Sequence, residues 1–182
     1  MFRRPLGRPV RPAMQGNVPP ALQKANQLMS AGQYEAAAEV FERFATGAVA
    51  RNGPRAPWVL LRAGQARLLS GQAPAALAHF RQGLSIIATR GQLQRFAGAG
   101  NRIVLELKAR GLSAQAAEIE DYLKATLPAG FASAPPAATA GKKALLPTAC
   151  PGCGGPLRSD DVEWVDELTA ECPYCGSQVR AE

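Results

Sequence analysis

Residues 32–41 read GQYEAAAEVF, and residues 71–80, which lie 39 positions later, read GQAPAALAHF. Both stretches start with Gly-Gln, place Ala at their sixth position and end in Phe. A third stretch at 111–120, GLSAQAAEIE, keeps the Gly and that Ala but ends in Glu120, with Ile119 and Leu123 as the nearby large apolar residues. The third copy can therefore be aligned with the other two in either of two registers that differ by one position. Internal repetition at this period predicts stacked helical units.

The chain around these copies, from residue 20 to residue 127, is rich in Ala and Leu and is interrupted by Gly at short intervals. Apolar residues recur at helical spacing between the interruptions, which predicts helices over residues 20–30, 33–46, 57–70, 73–89, 92–110 and 113–126. We place the breaks at Gly32, Gly53-Pro54, Gly71, Gly91 and Gly111. Pro57 and Pro74 suit a first helical turn, and Ser113 is a candidate cap of the last helix.

These features resemble the tetratricopeptide repeat family, in which each repeat is a pair of helices. The family places Gly and Tyr at the turn, here Gly32 and Tyr34, then a small Ala in the second helix and a Phe one turn later. A small Ala lets helices approach closely, and Phe41 and Phe80 would fill the space between successive pairs. The repeat here is 39 residues rather than about 34, because residues 51–57 lengthen the first connection. A generic array of α-hairpins is the alternative, and it predicts nearly the same shape.

The resemblance also implies where a partner would bind, since such arrays usually hold an extended or helical peptide on the face formed by the first helix of each pair. On this chain that face would contain Leu22, Asn26, Met29, Trp58, Leu61, Gln65, Leu68, Asn101, Leu105 and Lys108. Leu22 and Leu61 stand where the family's carboxylate-binding members carry cations, so we do not expect an acidic C-terminal tail to be captured there. The alternative is that this face packs against the chain's own tail or against a second copy.

The second decisive pattern is a pair of CxxC motifs, CPGCGG at 150–155 and CPYCGS at 172–177, with 18 residues between Cys153 and Cys172. This spacing fits a tetrahedral site in which four thiolates bind one Zn²⁺. The predicted ligands are Cys150, Cys153, Cys172 and Cys175. The Gly after each second Cys permits a tight turn, so both sulfur atoms of a pair can reach the same ion. Iron bound by the same thiolates and a redox-active dithiol are the alternatives.

Residues 162–172 between the motifs, VEWVDELTAEC, alternate in polarity as strands do, with a turn at 166–167. The alternation places Val162 and Trp164 on one face, and likewise Leu168 and Ala170. The motifs and this hairpin together resemble a zinc ribbon with knuckles of the rubredoxin type. The expected fold class is therefore mainly α, a short tetratricopeptide-like array of α-hairpins with a small C-terminal β zinc ribbon.

The metal is expected to hold this small unit together. A unit of about 35 residues buries too little apolar surface to fold alone, so the ion should supply folding free energy on the order of 10 kcal/mol. All four predicted ligands are thiolates, which leaves no coordination position for water. We therefore expect the zinc to be structural rather than catalytic.

Composition divides the chain into four regions. Residues 1–19 form a basic arm with four Arg and no acidic residue, and residues 20–127 form the helical repeat domain. Residues 128–149, with eight Ala and four Pro, read as a semi-extended linker. Residues 150–182 form the ribbon, which has two basic and seven acidic residues. Its acidic side chains are expected either to be solvated or to meet a basic surface, including the chain's own helical body or its arm.

The sequence excludes several classes of function. It contains no apolar stretch of about 20 residues that a membrane helix needs, and no apolar block behind its basic start, so we expect a cytoplasmic protein. His79 is the only histidine, and no nucleophile or paired-carboxylate motif accompanies it, so we expect a solvated or hydrogen-bonded residue and no enzyme.

Two hypotheses follow for the function. The favoured one is a non-enzymatic adaptor that contacts protein partners through the helical array and through the ribbon. The alternative is a nucleic-acid-associated factor that uses the basic arm and helical body of a chain whose net charge is +7. The ribbon itself carries a net charge of −5 from two basic and seven acidic residues, which opposes contact with phosphate.

Overall fold

The structure is a computed structural model of the chain. It describes residues 19–131, 145–151, 157–159, 162–164, 168–172 and 177–181. The predicted basic arm, apart from its last residue, lies outside the described residues. So do residues 132–144 of the predicted linker, the predicted turn at 166–167, and the predicted metal ligands Cys153 and Cys175.

Six helices and then a small sheet make up the described part of the chain, which confirms the mainly α fold class. The helices are α1 (Pro20–Ser30), α2 (Tyr34–Ala50), α3 (Ala56–Leu69), α4 (Ala73–Thr89), α5 (Leu93–Ala109) and α6 (Ser113–Thr126). Their bounds lie within one residue of the prediction except at the end of α2, which was expected at residue 46. Helix α2 continues because Ala48, which is buried, extends the apolar side of the helix past Gly47.

Four of the five connections between helices end the preceding helix in the same way. A glycine with φ between +71° and +81° follows the last turn, at Gly32, Gly71, Gly91 and Gly111. The next N–H then returns to a carbonyl inside the helix, as in the 2.8 Å bond from Gln72 N to Arg67 O. Only glycine adopts this left-handed backbone without a steric cost from Cβ, so the predicted breaks at these positions are confirmed.

The connection from α2 to α3 uses Asn52 instead of glycine. Asn52 has φ +47°, and the Gly53 N–H donates to Ala48 O at 2.8 Å, so the left-handed residue comes one position before the predicted break. Asn tolerates this conformation better than most residues with a side chain. The Arg90 guanidinium at the end of α4 holds the loop by donating to Asn52 Oδ1 at 3.0 Å and to Gly53 O at 2.9 Å.

The predicted cap of the last helix is wrong. Ser113 is the first helical residue of α6, Leu112 occupies the capping position, and no side chain caps this helix start. The carbonyl of Leu112 accepts the first helical bond, from Ala116 N at 2.9 Å. The prolines were predicted correctly, because Pro57 and Pro74 both stand in the first turn of their helices.

The repeated residues lie in the core, where successive helices pack against one another. Ala37, Ala76 and Ala116 are fully buried, and Phe41 and Phe80 are 2% exposed. In the third copy the large buried residue is Ile119, while Glu120 is partly exposed and pairs with Lys108. The third copy therefore keeps the spacing from its Gly to its Ala, and its large apolar side chain comes one residue earlier.

The C-terminal sheet has three antiparallel strands in the order β1 (Glu163–Trp164), β2 (Thr169–Glu171) and β3 (Gln178–Arg180). Trp164 lies opposite Ala170, which in turn lies opposite Val179. The predicted hairpin is confirmed, but Leu168 is 45% exposed and does not share the buried position of Ala170. Leu168 precedes β2, and its carbonyl accepts a bond from Ala181 N, so the alternation begins only after it.

Candidate metal centre and partner-binding face

Each CxxC motif lies in a segment that a backbone hydrogen bond closes at its base. The N–H of Leu157 donates to Thr148 O at 3.0 Å, which brackets the first motif. The N–H of Cys172 donates to Ser177 O at 2.8 Å, so this bond joins the two described residues that flank the rest of the second motif. A site built from both motifs requires the chain to turn back at each of them, and both bonds are compatible with such turns.

The two cysteines that the structure describes are both buried. Cys150 is 2% exposed and Cys172 is 1% exposed, and neither is in a disulfide bond. They belong to the same apolar cluster, together with Val162, Ala170 and Val179 of the sheet region. One thiol from each motif therefore lies in a common dry environment, as expected of ligands to a soft metal ion such as Zn²⁺.

Across the described ranges, no group of three or more potential metal ligands is found. This count includes only one cysteine of each motif, because Cys153 and Cys175 are outside those ranges. The two described cysteines, Cys150 and Cys172, fit a thiolate centre, and the four-cysteine site stays a prediction.

The predicted partner-binding face separates into buried and accessible residues. Leu22, Asn26, Trp58 and Leu68 are at most 8% exposed and offer no surface to a partner. Met29, Leu61 and Gln65 are partly exposed, and Asn101, Leu105 and Lys108 are exposed. The accessible part of the predicted face therefore lies mainly on α5, where Leu105 is 67% exposed.

A buried polar cluster joins α1 to α3 on this face. Arg62 donates to Asn26 Oδ1 at 3.1 Å and to the side-chain oxygen of Gln65, and its guanidinium lies 5.6 Å from the centre of the Phe41 ring. Arg62 is only 7% exposed, although arginine side chains usually lie at the surface. Sequence reasoning missed this position because an arginine in a helix gives no local sign of burial.

A second polar cluster joins α2, α3 and α4 through Glu42. Arg67 Nε and Nη2 donate to the two Glu42 oxygens at 2.6 Å each, and His79 Nε2 lies 2.9 Å from Glu42 Oε1. The bonds from Arg67 lower the pKa of Glu42 more than partial burial raises it, and His79 lowers it further. The same pair raises the pKa of Arg67. His79 is thus a hydrogen-bonded helix residue, as predicted.

Other cations of the helical body also meet carboxylates. Arg81 pairs with Glu118 at 2.6 Å, and Lys108 pairs with Glu120 at 2.6 Å. The bond from Lys108 lowers the pKa of Glu120. Further pairs within single helices are Arg110 with Glu106 and Lys124 with Asp121. Together with Arg67, five of the thirteen Lys and Arg residues between positions 20 and 127 pair with carboxylates of the body.

One ion pair links the helical body to the C-terminal sheet. Arg95 of α5 donates to Glu171 of β2, and the two side chains are 28% and 15% exposed. The two residues are 76 positions apart in the chain. Glu171 is one of the acidic residues expected to be solvated or to meet a basic surface, and the basic residue that it meets belongs to the chain itself.

No helix in the described part of the chain is long and apolar enough to cross a membrane. Comparison of the chain with family models, with curated proteins and with solved structures found no match.

Proposed function

We propose that the protein is a non-enzymatic adaptor for protein–protein interaction, built from a tetratricopeptide-like array and a structural zinc ribbon. The observation that carries the proposal is the burial of Cys150 and Cys172, one from each CxxC motif, in a common apolar cluster beside a small antiparallel sheet. A centre of this kind stabilises a fold and leaves no coordination position for chemistry on a substrate.

In this proposal Cys150, Cys153, Cys172 and Cys175 hold one Zn²⁺ as thiolates. When bound, the ion would supply the cross-link that the short strands lack. The backbone bonds at Leu157 and Cys172 support it, because they bring each motif back on itself before any metal is considered. The proposal includes a cytoplasmic location, since free thiolate ligands persist in a reducing compartment.

The partner-binding surface in this proposal is the accessible part of the predicted face, with Asn101, Leu105 and Lys108 of α5 as its exposed residues. An exposed leucine flanked by an amide and a cation suits a protein partner that is partly apolar. The nucleic-acid alternative is disfavoured because the ribbon has two basic and seven acidic residues, and because Arg67 and Arg81 of the body already pair with carboxylates. Phosphate binding would have to compete with those pairs.

Elemental analysis of the purified chain tests the metal first. We expect one zinc per chain, and loss of that zinc in Cys150→Ser and in Cys172→Ser, with Ser85→Ala on exposed α4 surface as the control. Bound iron, or a cysteine variant that retains full zinc, would contradict the proposed centre.

Affinity capture from lysate then tests the adaptor function. Intact protein and Cys172→Ser are compared with and without nuclease. A protein partner that resists nuclease and is lost with the variant supports the adaptor. If only nuclease-sensitive material is captured, the nucleic-acid alternative replaces it.

A further inference from the structure

The C-terminal unit, defined here as the described residues between 145 and 181, contacts the helical array in two places. First, its buried residues share one apolar cluster with buried residues of α1, α2 and α3. In that cluster Leu157 and Val162 of the C-terminal unit join Leu22 and Val59 of the array. Second, Glu171 pairs with Arg95 of α5. One contact is apolar and the other is ionic.

The first contact involves the face that was predicted to bind a partner. Leu22 belongs to that face and is only 2% exposed, and Met29 and Leu146 both pack against the same cluster. Leu22 shares this cluster with Ala37 and Phe41 of α2, so packing of α1 on α2 contributes to its burial. Here the chain's own C-terminal unit belongs to the cluster that buries Leu22.

The second contact lies at the edge of the same face. Arg95 and Arg102 are seven residues apart and therefore lie on the same side of α5, next to Leu105. The opposite side of α5 is packed into the helical body through residues such as Phe96, Ile103 and Leu107. Arg95 therefore lies on the side of α5 that faces away from the helical core, and it pairs with Glu171 of the C-terminal unit.

Charge favours this arrangement beyond the single pair. Helix α5 contains three cations and one acidic residue, whereas residues 150–182 contain two basic and seven acidic residues. Opposite charges on facing surfaces attract over about 8 Å at physiological ionic strength. Most of this attraction is lost in high salt.

The covalent connection makes even weak contacts effective. The C-terminal unit is joined to α6 through residues 127–144, so docking is intramolecular. A short tether gives an effective concentration in roughly the millimolar range. A partly exposed ion pair is weak on its own, but together with the apolar contact and the tether it can keep the face covered.

We propose that the C-terminal unit is an intramolecular ligand of the first-helix face, anchored at α5 by Arg95 and Glu171, and that an acidic partner segment binds this face by displacing it. The partner is acidic because it would take the place of Glu171, the carboxylate that Arg95 binds in the docked state. The inference goes beyond the adaptor proposal and does not depend on which metal, if any, the cysteines hold. Docking makes partner binding conditional on release of the C-terminal unit.

Backbone ¹⁵N relaxation of the full chain tests the docking. We expect amides of the C-terminal unit to share the tumbling time of the helices in low salt and to tumble separately in Arg95→Glu and in Glu171→Arg. The exchanged pair, Arg95→Glu with Glu171→Arg, should restore common tumbling. Arg81→Glu is the matched control, because it breaks the Arg81–Glu118 pair elsewhere on the array. Separate tumbling in the unaltered chain, or common tumbling in both single variants, would overturn the proposal.

Binding of a decaglutamate peptide to the full chain tests the partner class. If the docked state is about 90% populated, Glu171→Gln should raise the affinity for this peptide about tenfold. Adding Arg95→Glu to the Glu171→Gln variant should abolish this gain, because it removes the cation that binds the peptide. Glu118→Gln removes the same charge from exposed α6 surface and should leave the affinity unchanged. Equal affinities for Glu171→Gln and Glu118→Gln, or no binding by either, would contradict displacement by an acidic segment. The metal content of each variant is measured in parallel, so that a defect in the predicted metal centre is distinguished from undocking.

Discussion

The helical array and the C-terminal unit differ in what holds them together. Every helix of the array buries apolar side chains, and the repeated turns fix where one helix stops and the next begins. The described strands of the C-terminal unit are only two or three residues long, and Leu157, Val162 and Val179 are its larger buried apolar side chains apart from its thiols. Packing therefore suffices for the array, whereas in our proposal the metal would supply the cross-link that stabilises the C-terminal unit.

Metal removal should separate the two regions most clearly. Treatment with a strong chelator, or Cys172→Ser, should unfold the C-terminal unit, because the lost metal binding is on the order of 10 kcal/mol. The helices should persist. Circular dichroism at 222 nm measures the helices, and backbone NMR of residues 162–181 measures the sheet. Loss of helix signal on chelation would show that the array also depends on the metal.

Phe80→Ala should affect the array alone. Phe80 is 2% exposed in the second apolar cluster, and removing such a ring costs about 3–5 kcal/mol of unfolding free energy. Urea unfolding followed at 222 nm gives the change. Leu105→Ala, at a side chain that is 67% exposed, is the control and should stay within about 0.5 kcal/mol of the unaltered chain. Similar losses for both variants would argue against a packed core around Phe80.

Gly64→Ala tests how closely α3 and α4 approach. A Cβ at Gly64 would lie 2.6 Å from two atoms of the Phe80 ring and 3.0 Å from Ala76 O, so the variant should lose about 1–3 kcal/mol. Gly98→Ala in α5 meets nothing within 4 Å and should instead gain up to about 1 kcal/mol from helix propensity. Thermal unfolding of both variants measures the contrast. A stabilising Gly64→Ala would mean that these helices are further apart.

Glu42→Gln should have the smallest effect, about 1 kcal/mol at neutral pH, because the Glu42–Arg67 pair is partly exposed. The pKa of Glu42 is lower in the folded chain than in the unfolded chain. The ionised form therefore stabilises the fold above the unfolded pKa, and this contribution disappears as pH falls through the folded pKa. The difference between the unaltered chain and Glu42→Gln should shrink below about pH 4.5. Glu39→Gln, at an exposed position of the same helix, is the control, and a pH-independent difference would contradict the assignment.

Much of the array was predictable, because its signals are local. A glycine with positive φ, a proline in a first turn and apolar residues at helical spacing each act over a few neighbouring positions. The exceptions show the limit of that reasoning. Asn52 performs the role expected of Gly53. Leu112 occupies the capping position of α6 that was expected for Ser113, and no side chain caps this helix start.

The candidate site was less predictable, because it depends on which faces are covered. Asn26 and Leu22 were placed on an open face from the repeat pattern, yet both are buried. Strand β3 also escaped prediction, because three residues, Gln178 to Arg180, are too few to show an alternation that stands out from a loop.

The sequence by itself determined the six helices, their glycine turns and the two CxxC motifs, because each is specified by residues close together in the chain. The tertiary structure decided that Arg62 is buried, that Glu42 binds both Arg67 and His79, and that Glu171 meets Arg95 across 76 residues. Such contacts depend on how distant segments pack. Burial and charge pairing arise from the summed packing of the whole chain, which no short window of sequence contains.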